Sequence, residues 1–206
     1  MSNPIAPYIN DMIGTFEKGI DKKIATWNNC IGAARGEVTD FYGKKISFHG
    51  IAFAGTVVDI FWNFFDPFIK DFITRSAEKV RIKAMEASAD VIESLHILQE
   101  NMYNSTSRIY KQMAEKDRLM SGKGFPKQVP LRPVHDKIYF AHQEIDRWVN
   151  AEIGIYNSMI EQQQRNEVMQ AKHDIKTGIF TGVITNVICF LLGCFVTFLA
   201  SYLTKN

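Results

Sequence analysis

Three features of this chain predict an all-α fold: apolar residues recur at steps of three and four along most of its length, no stretch alternates with period two for long enough to argue for a sheet, and 28 consecutive uncharged residues lie between Lys176 and Lys205 near the C-terminus. The expected architecture is a long-helix antiparallel bundle or coiled coil continuous with a C-terminal transmembrane helix. Composition agrees, with 46% hydrophobic and 22% charged residues, a balance that suits a folded body with a membrane element.

Residues 1–45 open with an amphipathic helix. Ile9, Ile13, Phe16, Ile20, Ile24, Trp27 and Ile31 form its apolar stripe, and Pro4 suits the first turn. Gly32, Gly36, Gly43 and Gly50 then read as a looser connection. Asp11, Glu17 and Lys18 interrupt the first twenty residues, so no secretory signal is expected there.

Residues 46–69 are the most aromatic part of the chain. Ten Ile, Phe and Val residues between Ile51 and Ile69 would supply roughly 3 to 6 kcal/mol of insertion free energy, against about 2.5 to 3.5 for Asp59. The polar residues Thr56, Asp59, Asn63, Asp66 and Lys70 follow each other at steps of 3, 4, 3 and 4, which places them in one narrow stripe. Three arrangements satisfy this pattern. They are a core helix with one wet edge, an interfacial or re-entrant helix, and a spanning helix within an oligomer whose stripe faces water.

A long helix is expected over residues 67–120, capped by Asp66 before Pro67. Its stripe runs Val80, Ala84, Ala87, Val91, Leu95, Leu98, Met102, Ser105, Ile109 and Met113. Gly122, Gly124, Pro126, Pro130 and Pro133 make residues 121–135 a turn. Lys123, Lys127, Arg132 and Lys137 make that turn basic, so it either offers a surface to an acidic protein partner or is simply solvated. The helix of residues 136–176 carries Ala141, Ile145, Trp148, Val149, Ile153, Tyr156 and Ile160 on one side. Antiparallel pairing about the turn would set it opposite Met120 back to Val80 and leave everything before Val80 at or below the membrane surface.

Residues 177–204 form the expected anchor. As a helix they reach about 42 Å, more than the roughly 30 Å of bilayer hydrocarbon. Fourteen Leu, Ile, Phe or Val residues from Ile179 to Leu203 contribute about 4 to 8 kcal/mol to insertion, which Asn186 does not reverse. Arg165, Lys172 and Lys176 precede the run and Lys205 follows it, so charge bias places the body in the cytoplasm. Gly178, Gly182, Asn186, Cys189, Gly193, Thr197 and Ser201 recur at three or four and form a small-residue face of the kind through which membrane helices associate.

A net charge of +2 from 24 basic and 22 acidic residues argues against nucleic acid as a partner. Cys189 and Cys194 lie in the anchor and Cys30 stands alone, so neither a disulfide framework nor a metal-ligand set is expected. Glu93-x-x-His96 is one copy of a motif that di-iron bundles use twice, and His135 and His142 read as solvated or capping residues. No phosphate loop or nucleophile elbow occurs, so neither enzymatic activity nor a cofactor is expected. Asn104-Ser105-Thr106 fits the glycosylation pattern, but a cytoplasmic body makes it a chance match.

The function expected is therefore that of a non-catalytic, self-associating membrane protein whose body meets other proteins, as a scaffold, adaptor or exclusion or immunity protein. Its partners would be the lipid bilayer and further copies of itself. The alternative is a pore-forming or permeability effector that uses residues 46–69 as a second membrane helix. A third reading is a fusion protein of the SNARE kind, although Pro133 interrupts the heptads.

Overall fold

The computed structural model describes residues 3–30, 35–49, 57–122 and 133–203, and divides into two compact units, Met1–Tyr156 and Asn157–Asn206. Among the described residues the elements are α1 (Ala6–Cys30), β1 (Arg35–Thr39), β2 (Lys45–His49), α2 (Val57–Glu86), α3 (Val91–Gly122) and α4 (Val134–Leu203).

The first unit is an up-down-up-down four-helix bundle completed by α4 up to Tyr156. Side-chain pairings fix the directions. Asn3 to Ser94, Asn101 to Asn10 and Arg108 to Glu17 all join residues 91 apart, so α1 runs parallel to α3. Arg81 to Glu152 and Lys137 to Asp66 both join residues 71 apart, so α2 runs parallel to α4. His142 meets Ser107 and Asp146 meets Gln99, which makes α3 and α4 antiparallel.

The α1 stripe from Ile9 through Trp27 is buried as its spacing predicts. Its aromatic members interlock with α2: Phe16 stacks on Phe72 with ring centroids 3.8 Å apart, and Trp27 meets Phe61 edge-on at 5.4 Å. Such pairs add about 0.5–1.5 kcal/mol beyond the area they bury. Asn3 starts the helix: its backbone carbonyl and side-chain oxygen accept the Ala6 and Ile5 N–H groups at 3.1 Å. Its amide also donates to Ser94 at 2.9 Å, tying the start of α1 to that of α3.

Residues 67–120 are two helices rather than one, and the first begins ten residues earlier, at Val57, so that Asp66 and Pro67 lie inside it and Asp66 is not its cap. α2 ends in a Schellman motif in which Ala89 N–H reaches Ala84 O at 2.9 Å and Ser88 N–H reaches Met85 O at 3.2 Å. Ser88 occupies the left-handed position with φ 52°, and Asp90 Oδ1 caps α3 by accepting Glu93 N–H at 2.9 Å. The three-and-four spacing continues through the break in sequence, so periodicity gives no sign of the turn, although Ala87 is exposed there and the buried stripe passes from Ala84 to Val91. Consequently α2 folds back along α3, and Asp66–Arg81 lies beside Lys137–Glu152 instead of beyond the end of the bundle.

A β-hairpin joins α1 to α2, where the sequence suggested no sheet. β1 and β2 pair antiparallel with Val38 opposite Ile46. At five residues each, the strands are too short for alternation to stand out. Gly43, at φ 84°, supplies the left-handed position of the turn, and Asp40 Oδ1 accepts the Tyr42 and Lys44 N–H groups at 2.9 and 2.7 Å. Val38 is buried and Phe41 stacks on Phe68 at 3.6 Å. Lys23 donates to the carbonyls of Thr39 and Asp40, holding the hairpin on α1.

The second unit is the remainder of α4. Its described side chains are exposed from Asn157 onward.

Candidate functional site

Five large apolar side chains of the aromatic segment belong to the core. Phe61, Trp62, Phe64, Phe65 and Ile69 are buried among α1, α2 and α3. Of its polar stripe, Thr56 and the side chain of Asp59 lie outside the described residues, Asn63 is exposed, and Asp66 turns into the bundle.

Asp66 marks the most developed polar site of the first unit. Helical spacing brings Asp66, Lys70, Ile73 and Thr74 of α2 to face Lys137, Phe140, Ala141, Glu144 and Trp148 of α4, with Tyr110 of α3 at the back. These side chains enclose a groove of about 640 Å³. Lys137 Nζ donates to Asp66 Oδ2 at 2.7 Å and sits 4.5 Å from the Trp62 ring centroid. Trp62 in turn donates its indole N–H to Asp117 Oδ2 at 3.1 Å. The second Asp66 oxygen, Oδ1, is shielded from solvent, and the Tyr110 hydroxyl faces the Asp66 carboxylate. Burial first, then the charge of the Asp66 carboxylate and the hydrogen bond the hydroxyl donates to it, push the Tyr110 hydroxyl well above its ordinary pKa and keep it neutral.

A second row of polar contacts holds α4 further along. Arg81 Nε donates to Glu152 Oε2 at 2.5 Å, and both side chains are largely shielded from solvent, with exposures of 13% and 9%. Asp146 accepts from Gln99 at 2.7 Å and from the Tyr103 hydroxyl. His142 lies 3.0 Å from Ser107 Oγ.

The remaining candidates make local contacts. Glu93 accepts from Asn3 at 3.2 Å and His96 contacts Gln99; among the described residues no group of side chains is placed to hold a metal. Thr106 is buried and donates to Met102 O at 2.7 Å within α3, so the glycosylation pattern sits inside a packed helix. Lys123, Lys127 and Arg132 lie outside the described residues, whereas Lys137 belongs to the groove.

In the second unit, Gly178, Gly182 and Asn186 are exposed, and a Cβ at either glycine would meet open space. Ile179, Phe180, Val183, Ile184, Val187, Ile188 and Leu192 are also exposed, from 41% at Ile184 to 68% at Phe180. At about 100° per residue these seven fan over an arc of about 220°, while Gly178, Gly182, Asn186 and Cys189 fall within about 80° on the other side. Among the described residues no helix is long and apolar enough to cross a membrane. The exposure of Gly193, the side chains of Thr197 and Ser201, and the whole of Thr204 lie outside the described set.

Asp66 and Lys137 both carry sequence signals, as a cap and as part of a basic loop, but neither signal indicates that they pair. No protein-family model, curated protein or solved structure matches this chain.

Proposed function

We propose that this chain is a non-catalytic, self-associating membrane protein, held by a C-terminal helix over residues 177–204, that presents its helical body to protein partners as a scaffold, adaptor or exclusion or immunity protein. One observation carries the reading: seven large apolar side chains of the Thr177–Leu192 stretch fan around α4, all exposed, opposite a strip of small residues. Water is a poor solvent for such a helix, since each buried CH₂ is worth about 0.8 kcal/mol. Hydrocarbon on the wide arc and a second helix on the narrow one satisfy both faces. The charge-free run to Thr204 supports the same assignment, and the basic residues before it favour a cytoplasmic body.

Nothing in the placement of Asp66 favours the permeability reading, because its carboxylate is engaged by Lys137 inside the bundle. Self-association is tested with Gly182→Ile, which puts a branched side chain on the narrow face. Crosslinking of the full chain in mild detergent should give oligomers that fall sharply in the variant. Undiminished oligomers in Gly182→Ile would remove this face from the account.

A further inference from the structure

Charge is sorted around the exposed part of α4 that precedes the uncharged run. At about 100° per residue, Ile160, Gln164, Val168, Ala171 and Ile175 fall within an arc of about 80°, and every charged residue of the stretch 157–176 falls outside it. Gly178, Gly182, Asn186 and Cys189 occupy the same arc, so one uncharged strip continues along the helix from Ile160 to Cys189. Ile160, Val168 and Ile175 are exposed on it. Met159 and Met169 lie on the other side, interspersed with Gln162, Asn166 and His173, and form no strip.

We infer that the Ile160–Ile175 part of this strip docks on the same strip of a second copy of the chain, with the two helices parallel and in register. The inference rests on the self-association proposed above and extends it from the lipid segment to the stretch before it. Two copies inserted the same way round run in the same direction, which makes the pair parallel. An isolated helix of about 30 Å is marginal in water and draws its stability from packing of one face. The flanks of the strip complement each other across such a pair. Glu167 lies about 60° to one side of its middle and Lys172 about 80° to the other. They are five residues apart, the offset at which the g and e positions of a parallel coiled coil meet. Glu167 of one copy therefore faces Lys172 of the other, twice by symmetry. The bond that Glu167 accepts from Gln163 within its own helix, at 3.0 Å, engages one carboxylate oxygen. Gln164, inside the strip, meets the same amide of the second copy and fixes the register, as buried amides do in coiled coils.

The test is disulfide crosslinking of the full chain carrying Cys30→Ala, Cys189→Ala and Cys194→Ala, oxidised with copper phenanthroline in membranes and then in mild detergent. Single cysteines are placed on the strip (Ala171→Cys), opposite it (Asn166→Cys) and on the lipid segment (Gly182→Cys). Because a disulfide needs Cα atoms within about 7 Å, Ala171→Cys should form dimers at least about tenfold faster than Asn166→Cys. Glu167→Lys and Lys172→Glu should each lower the Ala171→Cys dimer by about fivefold, and the two together should restore it. Absence of Ala171→Cys dimers while Gly182→Cys still crosslinks overturns the inference and leaves association through the lipid segment standing; absence at both positions removes that association as well. Equal rates at Ala171→Cys and Asn166→Cys overturn the inference, as does a double charge exchange no better than the single ones. Crosslinking of Ala171→Cys in membranes to a chain of another mass would give the strip to a different protein and overturn it too.

Discussion

Breaking the Arg81–Glu152 pair should cost the bundle more than any other single polar change, and the structure sets the size of the effect. Both side chains are mostly shielded and their atoms lie 2.5 Å apart, so Glu152→Leu leaves a guanidinium with little water to replace its carboxylate. Removing one member of a fully buried pair costs about 3–5 kcal/mol. The residual exposure here, together with the Arg81 contact to Met85, lowers the expectation to about 2–3 kcal/mol. Arg81→Met should cost a similar amount. The double variant should recover most of the loss, because two apolar side chains of similar length replace both charges, and the coupling energy should be about 2 kcal/mol. The assay is urea unfolding of the full chain in detergent, followed by tryptophan fluorescence. All three tryptophans, Trp27, Trp62 and Trp148, lie in the first unit, so the signal reports the bundle and not the remainder of α4. Additive single losses, with coupling below about 0.5 kcal/mol, would refute the claim that this pair clamps α4 to α2.

Three further outcomes are expected in the same assay. Ser88→Gly should stabilise the bundle by about 0.5–1 kcal/mol, because a left-handed L-residue costs roughly 1–2 kcal/mol and part of that gain is lost to the freer unfolded chain; Ser88→Val should destabilise it. Asn3→Ala should lower stability by about 1 kcal/mol, measured by the urea midpoint, as the α1 cap and its tie to Ser94 both vanish. Tyr110 has a folded pKa raised above its ordinary value of 10.0, so its contribution is intact below about pH 10 and is lost as pH climbs through the folded value. Tyr110→Phe should therefore flatten the alkaline fall in stability, and an unchanged fall would assign it to other groups.

Helix existence was legible in the sequence wherever one face alone is buried. The stripe Ile9–Trp27 and the run Val91–Met113 appear in the core as their spacing implies. The α2–α3 turn was not legible, because a serine holds the left-handed position that glycine would have signalled, and Val80 and Ala84 keep phase with Val91 and Leu95. The β-hairpin is not legible because its strands are short and Gly43 is one loop glycine among several. The groove was hidden for another reason. Asp66 and Lys137 are 71 residues apart, and their pairing depends on the fold-back at Ser88 that local pattern does not announce.

The direct test of the central claim compares the full chain with one ending at Lys176, both expressed in cells and washed with alkaline carbonate. The full chain should stay in the membrane pellet and the shortened chain should appear in the supernatant with its three tryptophans still in a folded bundle. Release of the full chain by the wash, or retention of the shortened one, would contradict the assignment of residues 177–204 to lipid.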